Sequence, residues 1–294
     1  MKKARLIYNP TSGKEQVKKN LPYILARLEE AGYETSTHAT RGVGDAKLAA
    51  EQAVSRGFDL VVAAGGDGTI NEVINGLAEK PNRPKLGIIP VGTTNDFARA
   101  VGIPRSIVKA CNILASGRET PIDIGKMNDR YFINIAGGGK LTELTYEVPS
   151  KLKTALGQLA YYLKGIEMLP SLKPTYAKIE YDDGVFEGEI SLFLVSNSNS
   201  VGGFEKIAPD ADLSDGKFDL LIVKKTNLAE LIRLTTAAVT GNHLKDGSIV
   251  YKKARRIRIT TDQVVQLNLD GEYGGVLPAT FENLQQHITL IAPK

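Results

Sequence analysis

Between the apolar run Asp59–Ala63 and the amphipathic stretch Ile70–Glu79 stand Gly65-Gly66-Asp67-Gly68-Thr69. Glycines at such a turn let main-chain amides approach a phosphate closely, and the start of a helix beyond them adds further N–H donors. Thr69 is a candidate cap for that helix. Asp67 is the odd member, because a bare carboxylate repels a phosphate. Its presence calls for a cation between the two, most simply Mg²⁺ with a nucleoside triphosphate. Two familiar phosphate loops fail on spacing. In the register Gly66-x-Gly68 the third glycine of the dinucleotide fingerprint is replaced by Asn71. For a Walker loop, Gly13-Lys14 is followed by Glu15 and Tyr8 stands where the leading glycine belongs.

Two more loops follow apolar runs in the same way. Arg5–Tyr8 leads into Asn9-Pro10-Thr11-Ser12-Gly13-Lys14, and Lys85–Ile89 leads into Pro90-Val91-Gly92-Thr93-Thr94-Asn95-Asp96-Phe97-Ala98-Arg99. Either one alone is ordinary turn or helix-entry chemistry. Ligands of open α/β sheets sit outside the carboxyl ends of the strands, so the three loops together favour a nucleotide site. The second half of the chain carries Leu267-Asn268-Leu269-Asp270-Gly271-Glu272-Tyr273. Taken by itself this is an Asp-Gly hairpin turn with a solvated Glu272. The acidic stretch Asp210–Lys217 looks at first like a calcium loop. Its third acidic residue falls one position late and no glutamate follows at the right distance, so it reads as a polar turn.

The elements that must position these loops alternate in the first part: strands at Arg5–Tyr8, Glu34–Ala39, Asp59–Ala63 and Lys85–Ile89, helices over Lys14–Ala31, Asp45–Arg56 and Ile70–Glu79, and short helices around Asp96–Val101 and Ile107–Ser116. That alternation predicts a doubly wound parallel sheet over residues 1–122. Beyond it, Tyr176–Tyr181, Val185–Val195, Phe218–Val223, Arg256–Thr261 and Val264–Leu269 read as strands beside Asp-Gly turns, with helices at Leu152–Leu169 and Leu228–Val239. Residues 123–285 are therefore expected to form an antiparallel β-sandwich, and the final run His287–Ala292 suits either domain, with a return of about 286–294 to the first.

Composition narrows the partners. The 294 residues carry 37 basic and 33 acidic side chains, a net charge of +4, too mild to argue for nucleic acid yet compatible with an anionic membrane surface. The single cysteine, Cys111, rules out an intramolecular disulfide and suits a reducing compartment. His38, His243 and His287 lack metal-ligand spacing. No stretch approaches the roughly 18 apolar residues of a spanning helix, and no signal-peptide core is present, so the expectation is a cytoplasmic protein.

In this order, Asn9-Pro10-x-Ser12-Gly13, Gly65-Gly66-Asp67-Gly68-Thr69 with Asn71-Glu72, and Gly92-Thr93-x-Asn95-Asp96-Phe97-Ala98-Arg99 resemble the diacylglycerol kinase catalytic domain, whose superfamily includes sphingosine and ceramide kinases. The resemblance runs nearly the whole length and is nearest to the soluble bacterial diacylglycerol kinases of Gram-positive type. The central element alone is less telling, because NAD kinases and phosphofructokinases carry similar loops. The resemblance implies two domains with ATP in the cleft between them and Mg²⁺ bridging its phosphates. Asn9, Pro10, Thr11, Ser12, Gly13, Thr40, Gly66, Asp67, Gly68, Thr69, Ile70, Asn71, Glu72 and Thr93 would line the nucleotide site, and Asp67 and Asp96 would organise the catalytic Mg²⁺. It also makes Glu272 the general base, with Asp270 in support, and places a structural Mg²⁺ on Asp215 and the main-chain oxygens of Asp212 and Lys217. A homodimer is implied as well.

For a lipid such as diacylglycerol to be reached, the protein must touch a membrane. Leu152, Leu156, Leu159, Leu163 and Ile166 form one stripe of the expected helix Leu152–Leu169, with Lys151, Lys153 and Lys164 nearby. Such a stripe ordinarily faces a core. The functional alternative is transient contact with the inner face of the membrane, helped by these lysines and by Lys14, Lys18 and Lys19.

Overall fold

A run such as Leu60-Val61-Val62-Ala63-Ala64 has no polar face to show to water, so it must be covered on both sides. In the computed structural model, which describes residues 1–139, 174–199 and 206–294, this run is the strand β3 (Leu60–Gly65), and every residue of it is buried. It lies in a parallel sheet with β1 (Lys2–Tyr8), β2 (Tyr33–Ala39) and β4 (Lys85–Pro90), in the order β2-β1-β3-β4. The polar strand β2 takes the edge, where only one row of partners is required. The end of the last strand, β15 (Ala279–Ala292), joins beyond β4 through a parallel pairing of Leu290 with Leu86. The chain forms two compact units, residues 1–124 with 285–294, and residues 125–284.

In the first unit, right-handed crossovers oblige the helix between β1 and β2 to lie on one face, and the helices between β2 and β3 and between β3 and β4 on the other. The contacts agree: α3 (Asp45–Ser55) packs on α4 (Asp67–Leu77), whereas α2 (Leu21–Glu30) packs on α6 (Ile107–Ser116). Small residues bring α3 and α4 close. Ala46, Ala49, Ala50 and Ala53 are buried, and a methyl group on Gly76 would lie 2.4 Å from the Lys47 carbonyl oxygen. One long helix over Lys14–Ala31 is not formed. The chain instead makes α1 (Ser12–Lys19), in which Gly13, Lys14 and Glu15 all have positive φ, and then α2. Pro22 at the start of α2 fits this restart, because a first-turn proline gives up no helical hydrogen bond.

The second unit is antiparallel. Its strands run β14 (Glu272–Val276), β13 (Gln266–Leu269), β7 (Ile135–Gly139), β9 (Gly184–Ser196), β8 (Thr175–Tyr181), β12 (Arg256–Thr261) and the start of β15, with β10 (Phe218–Lys224) pairing with both β9 and β11 (Ile249–Ala254). The fold is a β-sandwich cored by Phe132, Phe193, Phe218 and Phe281, whose rings meet at centroid separations of 5.4 Å for Phe132–Phe218 and 6.2 Å for Phe193–Phe281. The helix Leu228–Thr240 opens with a reciprocal cap between Asn227 and Glu230. The helix expected over Leu152–Leu169, with Lys151, Lys153 and Lys164, lies outside the described residues. No described helix is long and apolar enough to cross a membrane.

Candidate active site

Because β1, β3 and β4 are parallel and in register, Tyr8 beside Ala64 and Gly65 beside Pro90, their carboxyl ends reach one edge together. The ladder continues into the loops through Asn9 N–H to the Ala64 oxygen (3.1 Å), Val91 N–H to the Gly65 oxygen (3.0 Å) and Thr40 N–H to the Tyr8 oxygen (2.9 Å). Beyond these bonds the loops press on one another. A methyl group on Gly92 would stand 2.5 Å from the Gly66 Cα, and one on Gly13, whose φ is +58°, would stand 2.5 Å from the Val91 oxygen. Gly65 has no room either, since Thr69 Oγ1 would lie 2.4 Å from its added carbon. Gly68 differs: it has ordinary helical φ and nothing within 4 Å of an added carbon. The protein's own packing explains the other glycines but leaves Gly68 to whatever approaches from outside. The amides of the first turn of α4 point out of this edge, the arrangement that receives an anion.

Thr69 is not the helix cap. Helix α4 begins at Asp67 with Gly66 as its N-cap, which places Thr69 in the first turn with its side chain folded over Gly65. Asp67 Oδ1 accepts the Phe97 N–H at 3.3 Å and so joins the second loop to the third. Asp96 is buried, 3.3 Å from the Arg99 guanidinium. Asn95, held at φ +54°, brackets Gly92 with its side chain, accepting the Gly92 N–H and donating to the Gly92 oxygen. In the first loop Asn9 Oδ1 accepts both the N–H and the hydroxyl of Thr11. Pro10 and Ser12 are half-buried and Thr93 is exposed. Ile70 is fully buried in the core, so only its main chain faces the loop. Asn71 is bonded to Asn75 one turn on.

Glu72 has both carboxylate oxygens engaged at the start of α3: Oε1 accepts the Gly44 N–H at 2.8 Å and Oε2 the Ala46 N–H at 3.0 Å. A carboxylate there satisfies amides that the helix leaves open and opposes its dipole. The same loop is tied at its other end by Arg41 N–H to Asp45 Oδ2 (2.8 Å), with His38 also beside Asp45 at 3.2 Å. Two residues escaped the sequence reading. Arg105 donates to the carbonyl oxygens of Thr93 (2.7 Å) and Thr94 (2.9 Å), and Asp123, fully buried, accepts the Gln286 N–H at 2.7 Å. Both act through distant main-chain groups and leave no local pattern. Cys111 is buried, and that burial pushes its thiol up to about 11, which makes it a packing residue and not a nucleophile.

In the second unit the Asp-Gly turn forms as expected. Leu269 pairs with Glu272, and Asp270 and Gly271 between them have φ of +50° and +96°, the double positive φ that a two-residue hairpin needs. Glu272 is exposed and has no partner among the described residues. The acidic stretch folds as successive side-chain turns: Asp212 Oδ1 accepts the N–H and hydroxyl of Ser214, and Asp215 Oδ1 accepts the Lys217 N–H at 2.9 Å. A cation from the chain itself also reaches it. The Lys253 ammonium lies 3.0 Å from Asp215 Oδ2, 2.6 Å from the Asp210 oxygen and 3.6 Å from the buried Asp219. Burial raises the Asp219 pKa, against the pull of the Tyr251 hydroxyl and of Lys253. Among the described residues no group of three or more His, Cys, Asp and Glu is placed to hold a metal. The set expected here has one carboxylate and two main-chain oxygens.

Comparison with known proteins defines the class. Residues 3–127 match the diacylglycerol kinase catalytic domain, and residues 144–292 match the YegS C-terminal NAD kinase beta sandwich-like domain. The chain belongs to the diacylglycerol kinase catalytic-domain family, a family of enzymes. Among its relatives, a diacylglycerol kinase of Bacillus subtilis (strain 168) is 64% identical over 295 residues, covering 100% of this chain and 97% of the relative. A diacylglycerol kinase of Staphylococcus aureus (strain MRSA252) is 57% identical over 292 residues, covering 99% and 93%. A crystal structure of a diacylglycerol kinase from Bacillus anthracis (strain Sterne) superposes with a TM-score of 0.84 at 32% identity, covering 99% of this chain and 97% of that one.

Proposed function

We propose that the chain is an ATP-dependent lipid kinase that converts diacylglycerol to phosphatidate. One observation carries the nucleotide half of this reading: three glycine loops are packed on one sheet edge, with Gly68 open to the outside at the start of α4. The relatives named diacylglycerol kinase at 57–64% identity support the acceptor. On this reading residues 1–122 bind ATP and residues 123–285 bind the lipid. The enzyme works in the cytoplasm, as a homodimer, in transient contact with the membrane.

The donors at the loop edge fit Mg²⁺, a hard cation that takes carboxylate oxygens. Asp67 and Asp96 would hold it near the phosphates, where it would offset the negative charge of the γ-phosphoryl group. The amides of Gly68 and Thr69 would grip the phosphates, and the first loop, Thr40 and Thr93 would seat the rest of the nucleotide. Glu272 accepts the proton of the diacylglycerol hydroxyl. The freed oxygen forms a bond to the γ-phosphorus as the bond from that phosphorus to the bridging oxygen breaks, and ADP leaves. Asp215, with the main-chain oxygens of Asp212 and Lys217, would hold a second, structural Mg²⁺.

A phosphorylation assay with radiolabelled ATP across diacylglycerol, sphingosine, phosphatidylglycerol and NAD tests the acceptor. Label in phosphatidate is expected. Label in NAD with none in any lipid would overturn the reading. Glu272→Ala should lower turnover by at least about 100-fold while leaving ATP binding intact.

A further inference from the structure

The turn that carries Glu272 is held far more firmly than an Asp-Gly hairpin requires. Positive φ at both central residues is enough to close such a turn, and the aspartate side chain is free to face water. Here it does not. Asp270 Oδ1 accepts the N–H groups of Asn134 and Ile135, each at 2.9 Å, and Oδ2 accepts that of Ile133 at 2.8 Å. The Asp270 N–H returns a bond to the Ile135 oxygen at 2.9 Å, and Asn268 Oδ1 accepts the Gly271 N–H at 2.8 Å. Three converging N–H donors suit an anion. An asparagine in the same place would turn an NH₂ group toward at least one of them.

The amides are themselves fixed from behind. The Asn134 oxygen accepts the Asn197 N–H at 2.8 Å and Asn134 Oδ1 accepts the Ser198 hydroxyl at 2.9 Å. Asn197 Nδ2 donates to the Ile133 oxygen at 3.0 Å and Asn197 Oδ1 accepts from Asn283 at 3.2 Å. Asn134, Asn197, Ser198 and Asn283 are all buried, the last completely. Burying amides inside a β-sandwich is costly unless they are hydrogen-bonded, and a hydrogen-bonded layer of them fixes one geometry.

We infer that Asp270 is a positioning residue, whose carboxylate, clamped by the Ile133–Ile135 amides and the buried Asn134–Asn197–Ser198–Asn283 layer, sets the backbone from which Glu272 projects. This rests on the proposed role of Glu272 as the base. The test is a double-mutant cycle on turnover, with ATP binding and thermal unfolding followed in parallel. Asp270→Asn alone should lower kcat by about 10–100-fold, the cost of a small misplacement of a reacting group, with ATP affinity unchanged within about twofold. In a Glu272→Gln background the same change should cost less than about twofold, because the group it positions is gone. Losses that multiply in full, or a wild-type kcat for Asp270→Asn, would overturn the inference. Near-normal turnover of Glu272→Gln alone would instead overturn the base assignment. If Asp270→Asn fails to fold, Asn268→Ala takes its place in the cycle. It should give a smaller loss that vanishes in the Glu272→Gln background, and an equal loss in both backgrounds would count against the proposal.

Discussion

The loop edge of the first unit and the Asp-Gly-Glu hairpin of the second reach rigidity by opposite means. At the edge, close approach does the work: Gly13, Gly66 and Gly92 let three loops touch main chain to main chain, Gly65 leaves room for the Thr69 side chain, and side chains such as Asn95 and Arg105 bond to backbone groups. At the hairpin, a single carboxylate gathers three amides and a buried layer of asparagines holds them. On the function proposed above, the contrast follows from what each must present. A phosphate is met by N–H groups, so side chains must be kept out of the way. A proton is taken by one carboxylate, so one side chain must be aimed.

Substitutions that respect or violate this contrast should sort by size. The largest effect is expected for Gly92→Ala, whose new carbon would meet the Gly66 Cα, an atom that cannot swing aside. A loss of about 2–3 kcal/mol in stability should appear in thermal or denaturant unfolding, with nucleotide binding lost as well. Next is Gly68→Ala, which meets open space. Stability should hold or rise by up to ~1 kcal/mol, while ATP affinity by calorimetry falls about 10-fold. Equal damage to stability from the two would erase the distinction between the packing glycines and the open one.

Glu72→Gln should be milder. It keeps one acceptor for the Gly44 and Ala46 amides and loses the other, worth about 1 kcal/mol, so KM for ATP should rise about fivefold with kcat little changed. A fall in kcat with unchanged KM would show that Glu72 acts on the chemistry and not through the Thr40–Gly44 loop. The smallest effect concerns His243 in the second unit, which is buried and bonds through Nε2 to the Ile207 oxygen at 2.9 Å. Burial lowers its pKa below the ordinary value. The unfolded chain then binds the proton first, so stability is full above about 6.5, the unfolded value, and declines as pH falls from there toward the folded value. His243→Gln keeps a donor for Ile207 and should flatten unfolding midpoints measured between pH 7 and 5.

Much of this was legible in the residues. The α/β alternation, the sandwich strands and the helix at Leu228–Thr240 follow from hydrophobic period, and the Asp-Gly turn follows from φ preference. Thr69 and Glu72 were less readable. A hydroxyl near a helix start has the composition of a cap, yet Gly66 holds that position, and the reach of Glu72 to α3 depends on how α3 packs against α4. Arg105, Asp123 and the amide clamp on Asp270 left no signal, because their partners lie between 11 and 163 residues away.

What the sequence by itself determined is the inventory and the local shapes: glycines, carboxylates, turns and periods, each a property of a few neighbouring residues. What only the tertiary structure decided is which glycines serve packing and which stands open, and how an aspartate beside the glutamate is held by three amides. Those answers depend on strands brought together by burial of their apolar faces, and chain-distant contacts of that kind are absent from any local pattern.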